Sequence, residues 1–500
     1  MSTLSELLPS GGGGSTVDFV ASGTLPNGKP VVLKSDGTVE VVVGTSTSVA
    51  ENIPAGAEYI FNSGSTVYIS TSFDPNTTGK FVVAYRDVSN SGYGTVVVGT
   101  ISGTTISFGS EYVFSLAVTN ELSISFDPNT ANKFIVSYQD NGNLDYGTVI
   151  VGTVSGTAIS FGSKYIFNSG STNYTSTSFD PNTTGMFVVA YRDSGNSNYG
   201  TAIVGTVSGT TISFGSEYTF SASTTTLTTV SFDPNTANKF VVAYGAGNGS
   251  NGKAIVGTVS GTTISFGSEY ASSSGSAYHI SASFDPNTAG KFVVSYRDAG
   301  NLNYGTTVAG TISGTTISFG SAVVFNSGIT SFTSTSFDPN TANKFVVSYQ
   351  DNGNSNYGKV VVGTVSGTAI SFGSEITLNS DFTDYISASF DPNSAGKFVV
   401  AYRDNGNSNY GTAIVGQIAT TITTTNLTST NFVGTSTAAY TNGQTATIAI
   451  QGGLSTNQTG LTIGSTYYVQ EDGTFATTAD TISVNAGKAL SATTLLLKDL

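Results

Sequence analysis

The sequence predicts an all-β protein: a seven-bladed β-propeller of four-stranded blades, closed by an N-terminal strand, plus a small C-terminal β-domain. Three observations carry this. The Asp of an Asp-Pro-Asn motif recurs at Asp74, Asp127, Asp180, Asp233, Asp285, Asp338 and Asp391, a spacing of 53 residues with one step of 52. Each repeat holds four short runs rich in Val, Ile, Thr, Phe and Tyr, separated by Gly, Asn, Asp and Ser. Such runs read as strands and such punctuation as turns, and four strands in a unit of roughly 50 residues suit a propeller blade. Finally, the seventh repeat stops after its third strand, at Tyr410–Gln417, while "IPAGAEYIFNSG" (Ile53–Gly64) ahead of the first repeat aligns with Ile159–Gly170. A ring closed by a borrowed strand explains both ends and leaves no open sheet edge. A solenoid, the alternative, needs atypical capping repeats.

Taken in order, residues 1–45 read as an anchor: the apolar peptide "LSELLPS", a Gly-rich linker, and a hairpin over Lys29–Val43 turned at Ser35-Asp36-Gly37. Residues 46–417 form the propeller, 418–429 a Thr-rich linker, and 430–500 a β-sandwich-like module. In each repeat the strand ending in "SFDPN" is placed innermost. One of its faces carries Phe73 and its six equivalents, the other small residues such as Ser70 and Ser72. Phe against the Ser of the next blade would let the wedges interlock, each buried Phe contributing about 2–3 kcal/mol.

The repeats also differ among themselves. The "DPNTTG" and "SGTT" turns of one rim barely change; Pro fixes φ there and Asp or Asn satisfies nearby amides, so that rim reads as structural. Variation gathers at the other rim. Six residues before each motif Asp stand Tyr68, Glu121, Tyr174, Leu227, His279, Phe332 and Tyr385. The five flat side chains (Tyr68, Tyr174, His279, Phe332, Tyr385) suit a ring at the channel mouth that stacks on a ligand such as a sugar; ordinary packing at a strand start would look the same. The four arginines of the chain, Arg86, Arg192, Arg297 and Arg403, share one slot at the end of the second strand in repeats one, three, five and seven. Gln139 and Gln350 fill it in repeats two and six, and Gly245 in repeat four. Arg suits bidentate carboxylate capture, but an ion pair with the Asp that follows it, or with one of a neighbouring blade, is the plainer reading.

Composition narrows the chemistry. The chain has no Cys, one His and a formal charge of -14, which excludes disulfides and thiolate metal sites and argues against a nucleic-acid partner. No apolar run is long enough for a membrane span, and "MSTLSELLPSGGGG" lacks the basic start and apolar core of a signal peptide. His279 has no recognisable triad around it, and the acids recur at turns, so no catalytic residue and no cofactor is assigned. The "DNGNLD" stretch (Asp140–Asp145) is oxygen-rich like a Ca²⁺ loop but lacks EF-hand spacing, and Asn-Gly turns account for it more simply.

The stretch "LSELLPSGGGG…VDFVASGTLPNGKPVVLKSDGTVE" resembles the N-termini of virion structural proteins of marine tailed bacteriophages, including cyanophages. "GLTIGSTYYVQEDGTFATT…VNAGKALSATTLLLK" resembles a C-terminal β-module of the same group, and "YRDxGNSNYGTAIVGTVSGTTISFGS" resembles repeats in it. The resemblance implies a tail-fibre-like appendage protein made in the host cytoplasm and displayed on the virion surface. The expectation is a non-enzymatic protein whose ends hold it to other virion proteins and whose variable rim binds a host surface glycan or receptor. The alternatives are a purely structural decoration of capsid or tail and, third, a glycan-degrading enzyme.

Overall fold

The structure, a computed structural model, describes residues 16–247, 251–480 and 482–498. It is all-β, with a single 3-10 turn at Asn141–Asn143 among the described residues. The chain forms two compact units, one spanning Ala50–Thr420 and the other assembled from the segments on either side of it.

In the first unit the strands from Tyr59–Phe73 to Tyr410–Gln417 pair in succession and close on themselves as a propeller-like ring. Repeat three shows the pattern. Met186–Asp193 and Tyr199–Ser208 are antiparallel neighbours, and Thr211–Phe232 follows, beginning as the outermost strand of this repeat and ending as the innermost strand of the next. Phe187 through Tyr191 are all fully buried, the continuous apolar run of a strand covered on both faces. The ring closes where Tyr410–Gln417 pairs with the strand ahead of the first repeat, Ala413 opposite Tyr59 and Tyr410 opposite Ser65. That strand also sits against repeat one as the outermost strands sit against their neighbours. A Cβ on Gly56 would lie 2.7 Å from the Thr104 carbonyl oxygen, and one on Gly109 would lie 2.9 Å from that of Thr157.

Neighbouring repeats are joined by hydrogen bonds that the sequence reading missed. Ser70 and Ser72 are acceptors rather than sockets for Phe: their hydroxyls take the Ile124 and Phe126 amides of the next innermost strand at 3.2 and 3.3 Å. Ser387 takes the Thr71 amide at 3.0 Å across the closure. Phe73 meets instead the Phe81 ring across its own hairpin, at 5.3 Å. The Asp-Pro-Asn turns do more than turn. Asp391 Oδ1 accepts the Asn393 amide within its own turn, and its Oδ2 accepts the Gly79 amide of repeat one, both at 3.0 Å. Asp180, Asp233 and Asp338 reach the following repeat in the same way. The motif Asn adds a second link: Asn129 Nδ2 donates to the Pro181 carbonyl and Asn393 Nδ2 to that of Pro75, each at 3.1 Å.

The second unit corrects the domain reading. The N-terminal hairpin is not a separate anchor. Its strands Pro30–Leu33 and Val39–Val41, with Thr16–Val20 ahead of them, complete one five-stranded sheet with Thr445–Ala449 and Phe432–Ser436. The apolar peptide and Gly-rich linker lie outside the described residues. The Thr-rich segment is not a linker either, because Thr420–Thr425 is a strand paired with Gly44–Val49. A second five-stranded sheet, from Leu454–Ser455 to Thr494–Leu497, repeats the first strand for strand in its pairing order. Leu25, Gly28, Asp36, Gly37 and Thr38 recur as Leu461, Gly464, Asp472, Gly473 and Thr474. Asp36 Oδ1 accepts the Thr38 amide and hydroxyl at 3.0 and 2.6 Å, and Asp472 Oδ1 those of Thr474 at 2.9 and 2.6 Å. Even the register slips match, at Val31 opposite Gly434 and Tyr467 opposite Gly487. The unit is therefore one module present twice, and the ring is inserted into the first copy.

Asp391 is fully buried, so removing its carboxylate strands two amides. Asp391→Ala should cost about 2–4 kcal/mol, seen as a lower midpoint in urea unfolding. A shift no larger than that of an exposed control such as Asp36→Ala would show that the turn-to-turn link contributes little.

Candidate functional site

Each innermost strand starts with a bulge. In repeat one, Val67 faces Arg86 and Ser70 faces Ala84, so Tyr68 and Ile69 together oppose the single residue Tyr85. The same slip occurs in every repeat. Its first residue is always left-handed: φ is 51° at Tyr68, 51° at Glu121, 52° at Tyr174, 54° at Leu227, 51° at His279, 50° at Phe332 and 49° at Tyr385. None of these is Gly or Asn, and a left-handed L-residue costs roughly 1–2 kcal/mol. Strain of this kind is tolerated where the surrounding structure fixes it, and bulges re-aim side chains.

Here the bulges aim seven half-buried side chains at one cavity of about 230 Å³. The residue after each, such as Ile69, Leu122 or Thr175, also lines it. Thr175, Thr228 and Thr333 donate their hydroxyls to the carbonyls of Glu121, Tyr174 and His279 in the preceding repeat, locking neighbouring bulges together.

The structure brings the five flat side chains to the cavity but not as an even ring. His279, Phe332, Tyr385 and Tyr68 form a chain of ring contacts, with centroids 5.1, 5.1 and 5.4 Å apart. Tyr174 stands apart, between Glu121 and Leu227 in repeat order. Glu121 is the one carboxylate among the lining residues. Burial raises its pKa, and Arg192 opposes that rise. Tyr68 is pushed up to about 12, first by burial and then by the charge of Glu121, so it serves as a neutral hydroxyl. His279 is held down to about 4, by burial and then by Arg297, and is a neutral ring at physiological pH. Sequence reasoning found the position but left Glu121 out of the site, because one acid among aromatics looked like an exception rather than a member.

The four arginines lie behind this ring and do not line the cavity. Arg192 stacks on Tyr174 with its Cζ 4.8 Å from the ring centre, Arg403 on Tyr385 at 4.9 Å, and Arg297 on Tyr278 at 4.7 Å. Arg86 Nη1 donates to Asn120 Oδ1 of the next repeat at 2.7 Å. Arg403 does form an ion pair, but with neither acid expected from the sequence: its partner is Asp384, directly opposite on the innermost strand of its own repeat. The Asp after each arginine caps the hairpin instead, as Asp193 Oδ1 accepts the Gly195 amide at 2.9 Å. In the turn considered for Ca²⁺, Asp140 Oδ1 accepts the Gly142 amide at 3.1 Å and Oδ2 pairs with Lys164 at 3.0 Å.

The fold and site define an all-β propeller-like protein with an aromatic cup built from one position of every repeat. No family model and no curated protein matches the sequence. Among solved structures, the BP39L lectin from Burkholderia pseudomallei is similar with a TM-score of 0.52 at 11% identity, covering 72% of this chain and 99% of that one. Sqt1 from Saccharomyces cerevisiae gives 0.45 at 10% identity (79% and 99% covered), and the NanB sialidase from Streptococcus pneumoniae 0.43 at 12% (73% and 71% covered). The first of these shows the fold.

Since His279 has a folded pKa below its ordinary 6.5, the unfolded chain binds the proton first. Its contribution to stability is therefore lost as the pH falls from about 6.5 toward 4. The melting temperature of the wild type should drop relative to that of His279→Phe over this interval; parallel curves would show that the imidazole is not held neutral.

Proposed function

We propose that this chain is a non-enzymatic carbohydrate-binding protein, a seven-bladed propeller that a bacteriophage particle displays to bind a host surface glycan through the aromatic cup. The observation that carries the reading is where the repeats differ. Their interlocking parts, the motif Asp and Asn and most of the innermost-strand serines, stay nearly constant, whereas the cup position holds five residue types in seven repeats. Stability alone asks for the same residue at each equivalent place. The cup offers aromatic edges, tyrosine hydroxyls, and Glu121 as acceptor, which suits a sugar ring with its apolar face and hydroxyl rim. Its volume, below the ~300–1,000 Å³ usual for drug-sized ligands, suits one sugar residue. Seven blades follow from seven repeats that each supply an innermost strand to the closed ring. The lectin likeness supports a sugar-binding use of this fold, and the resemblance of both chain ends to virion proteins supports the particle.

The enzyme reading finds little support. A two-carboxylate glycosidase mechanism needs a partner for Glu121, and a tyrosine nucleophile would need its hydroxyl pKa lowered, whereas that of Tyr68 is raised.

The test is a broad glycan array probed with the full chain and with a variant carrying Ser at Tyr68, Tyr174, Phe332 and Tyr385. A selective hit that the variant loses, with its circular dichroism unchanged, is the expected result. Silence across the array, or a hit that the variant keeps, would move the chain to the structural-decoration reading.

A further inference from the structure

Glu121 is the odd member of the cup. It holds the bulge position that flat side chains or Leu227 fill in the other repeats, at the same left-handed φ. It is the one carboxylate in a lining that contains no Lys or Arg, and His279 in the same lining is held neutral. The cavity wall thus carries a single formal charge, and it is negative. Among the described residues no ion pair includes Glu121. The charge of Arg192 and the Tyr174 amide oppose the effect of its burial, but Arg192 itself is committed to the Tyr174 ring. A position that accepts Leu227 or Phe332 has no structural need of a carboxylate, and burying a charge without a partner is costly. Around Glu121 the wall is aromatic. Tyr68 in the preceding repeat and Tyr385 beyond it both feel its charge, so the carboxylate and these rings face one space. Arg192 and Arg403 stack on Tyr174 and Tyr385, whereas among the described residues no guanidinium stacks on Tyr68, Phe332 or His279.

We propose that the cup takes an amino sugar whose nitrogen is free and protonated, with the ammonium group held between Glu121 and Tyr68 and the sugar ring set against the arc of His279, Phe332 and Tyr385. The proposal rests on the glycan reading and names the class of sugar. Aromatic rings attract a cation through their negative faces, and more strongly where water is excluded. A ligand that closes the cup takes water from the Glu121 carboxylate. A sugar hydroxyl can hydrogen-bond that carboxylate but leaves its charge buried. An ammonium group both hydrogen-bonds it and neutralises it. The N-acetyl form of the same sugar brings no charge and so loses this advantage.

The test is ligand-observed NMR on the full-length protein with D-glucosamine, D-galactosamine and D-mannosamine, each measured beside its N-acetyl derivative and its parent hexose. At least one amine should bind about tenfold tighter than both of its neutral counterparts. Glu121→Gln, which keeps the shape and removes the charge, should bring that amine down to the level of its hexose while leaving the circular dichroism unchanged. Arg192→Gln places in the slot the residue that repeats two and six hold there. It removes the opposing charge and should widen the amine's advantage over the hexose. If no amine outbinds its neutral counterparts, if Glu121→Gln keeps the advantage, or if Arg192→Gln fails to widen it, the ammonium site is wrong. A neutral-glycan hit that the four-aromatic variant loses would then still uphold the cup, so the two readings fail separately.

Discussion

The structure depends on closing a ring with contacts of the same kinds from repeat to repeat. Each repeat must hold the next as firmly at the seventh junction as at the first, or the ring opens at its weakest edge. Three devices meet that condition together. In repeats three, four, six and seven the motif Asp carboxylate spans to a backbone amide of the next repeat; the motif Asn spans to a carbonyl of the next turn, and serine hydroxyls of one innermost strand take amides of the next. All three cross the closure itself, through Asp391, Asn393 and Ser387. A fully buried carboxylate without amides would be costly. Where it holds one amide from each side, as Asp391 does, it joins two repeats at a defined spacing.

The same constraint frees the opposite rim. Since the motif Asp and Asn links lie at the Asp-Pro-Asn end, the strand's other end can bulge in every repeat, and there Thr175, Thr228 and Thr333 tie neighbouring bulges together. The bulge turns one side chain per repeat toward the axis at a conformational cost that the fixed strand below it supports. Position and identity are thereby separated: the backbone places seven side chains, and their chemistry is open to change. Alternation of Arg, Gln and Gly in the slot behind, with Asp384 in one place and Asn173 in its equivalent, shows the same separation a layer further out.

Much of the ring was legible because a repeated sequence contains its own alignment. The 53-residue period marked the repeats, and the match of Ile53–Gly64 to Ile159–Gly170 marked the strand that closes them. What stayed hidden was of two kinds. Left-handed bulges at Tyr68 or Phe332 carry no Gly or Asn to announce them, since the strain is imposed by the ring and not chosen locally. Ser70 and Asp391 act on neighbouring repeats, whereas pattern reading sees only alternation within a strand and turns within a loop. The joined ends were hidden for a simpler reason. Val31 pairs with Gly434 across the whole inserted ring, and no local signal reports a partner some four hundred residues away. The module's own duplication was readable at Leu25–Val39 and Leu461–Phe475, but the dominant period drew attention from it.

That duplication explains how the ring is carried. A ring closed by a borrowed strand must begin and end in the same repeat, so its two chain ends emerge as neighbours, with Asn52 already bonded to Gln417. An insertion into a loop needs the same thing of its guest. The first module meets it by continuing the pair outward, Gly44–Val49 beside Thr420–Thr425, to the strands Val39–Val41 and Phe432–Ser436 that the ring separates in sequence. In the second module the equivalent strands, Phe475–Ala476 and Val484–Ser491, follow one another in the sequence with no ring between them. The two copies thus show one scaffold with and without its guest, and the register slip opposite Gly434 and Gly487 is unchanged between them. Inserting the ring has not distorted its host, because closure had already brought the ring's ends together.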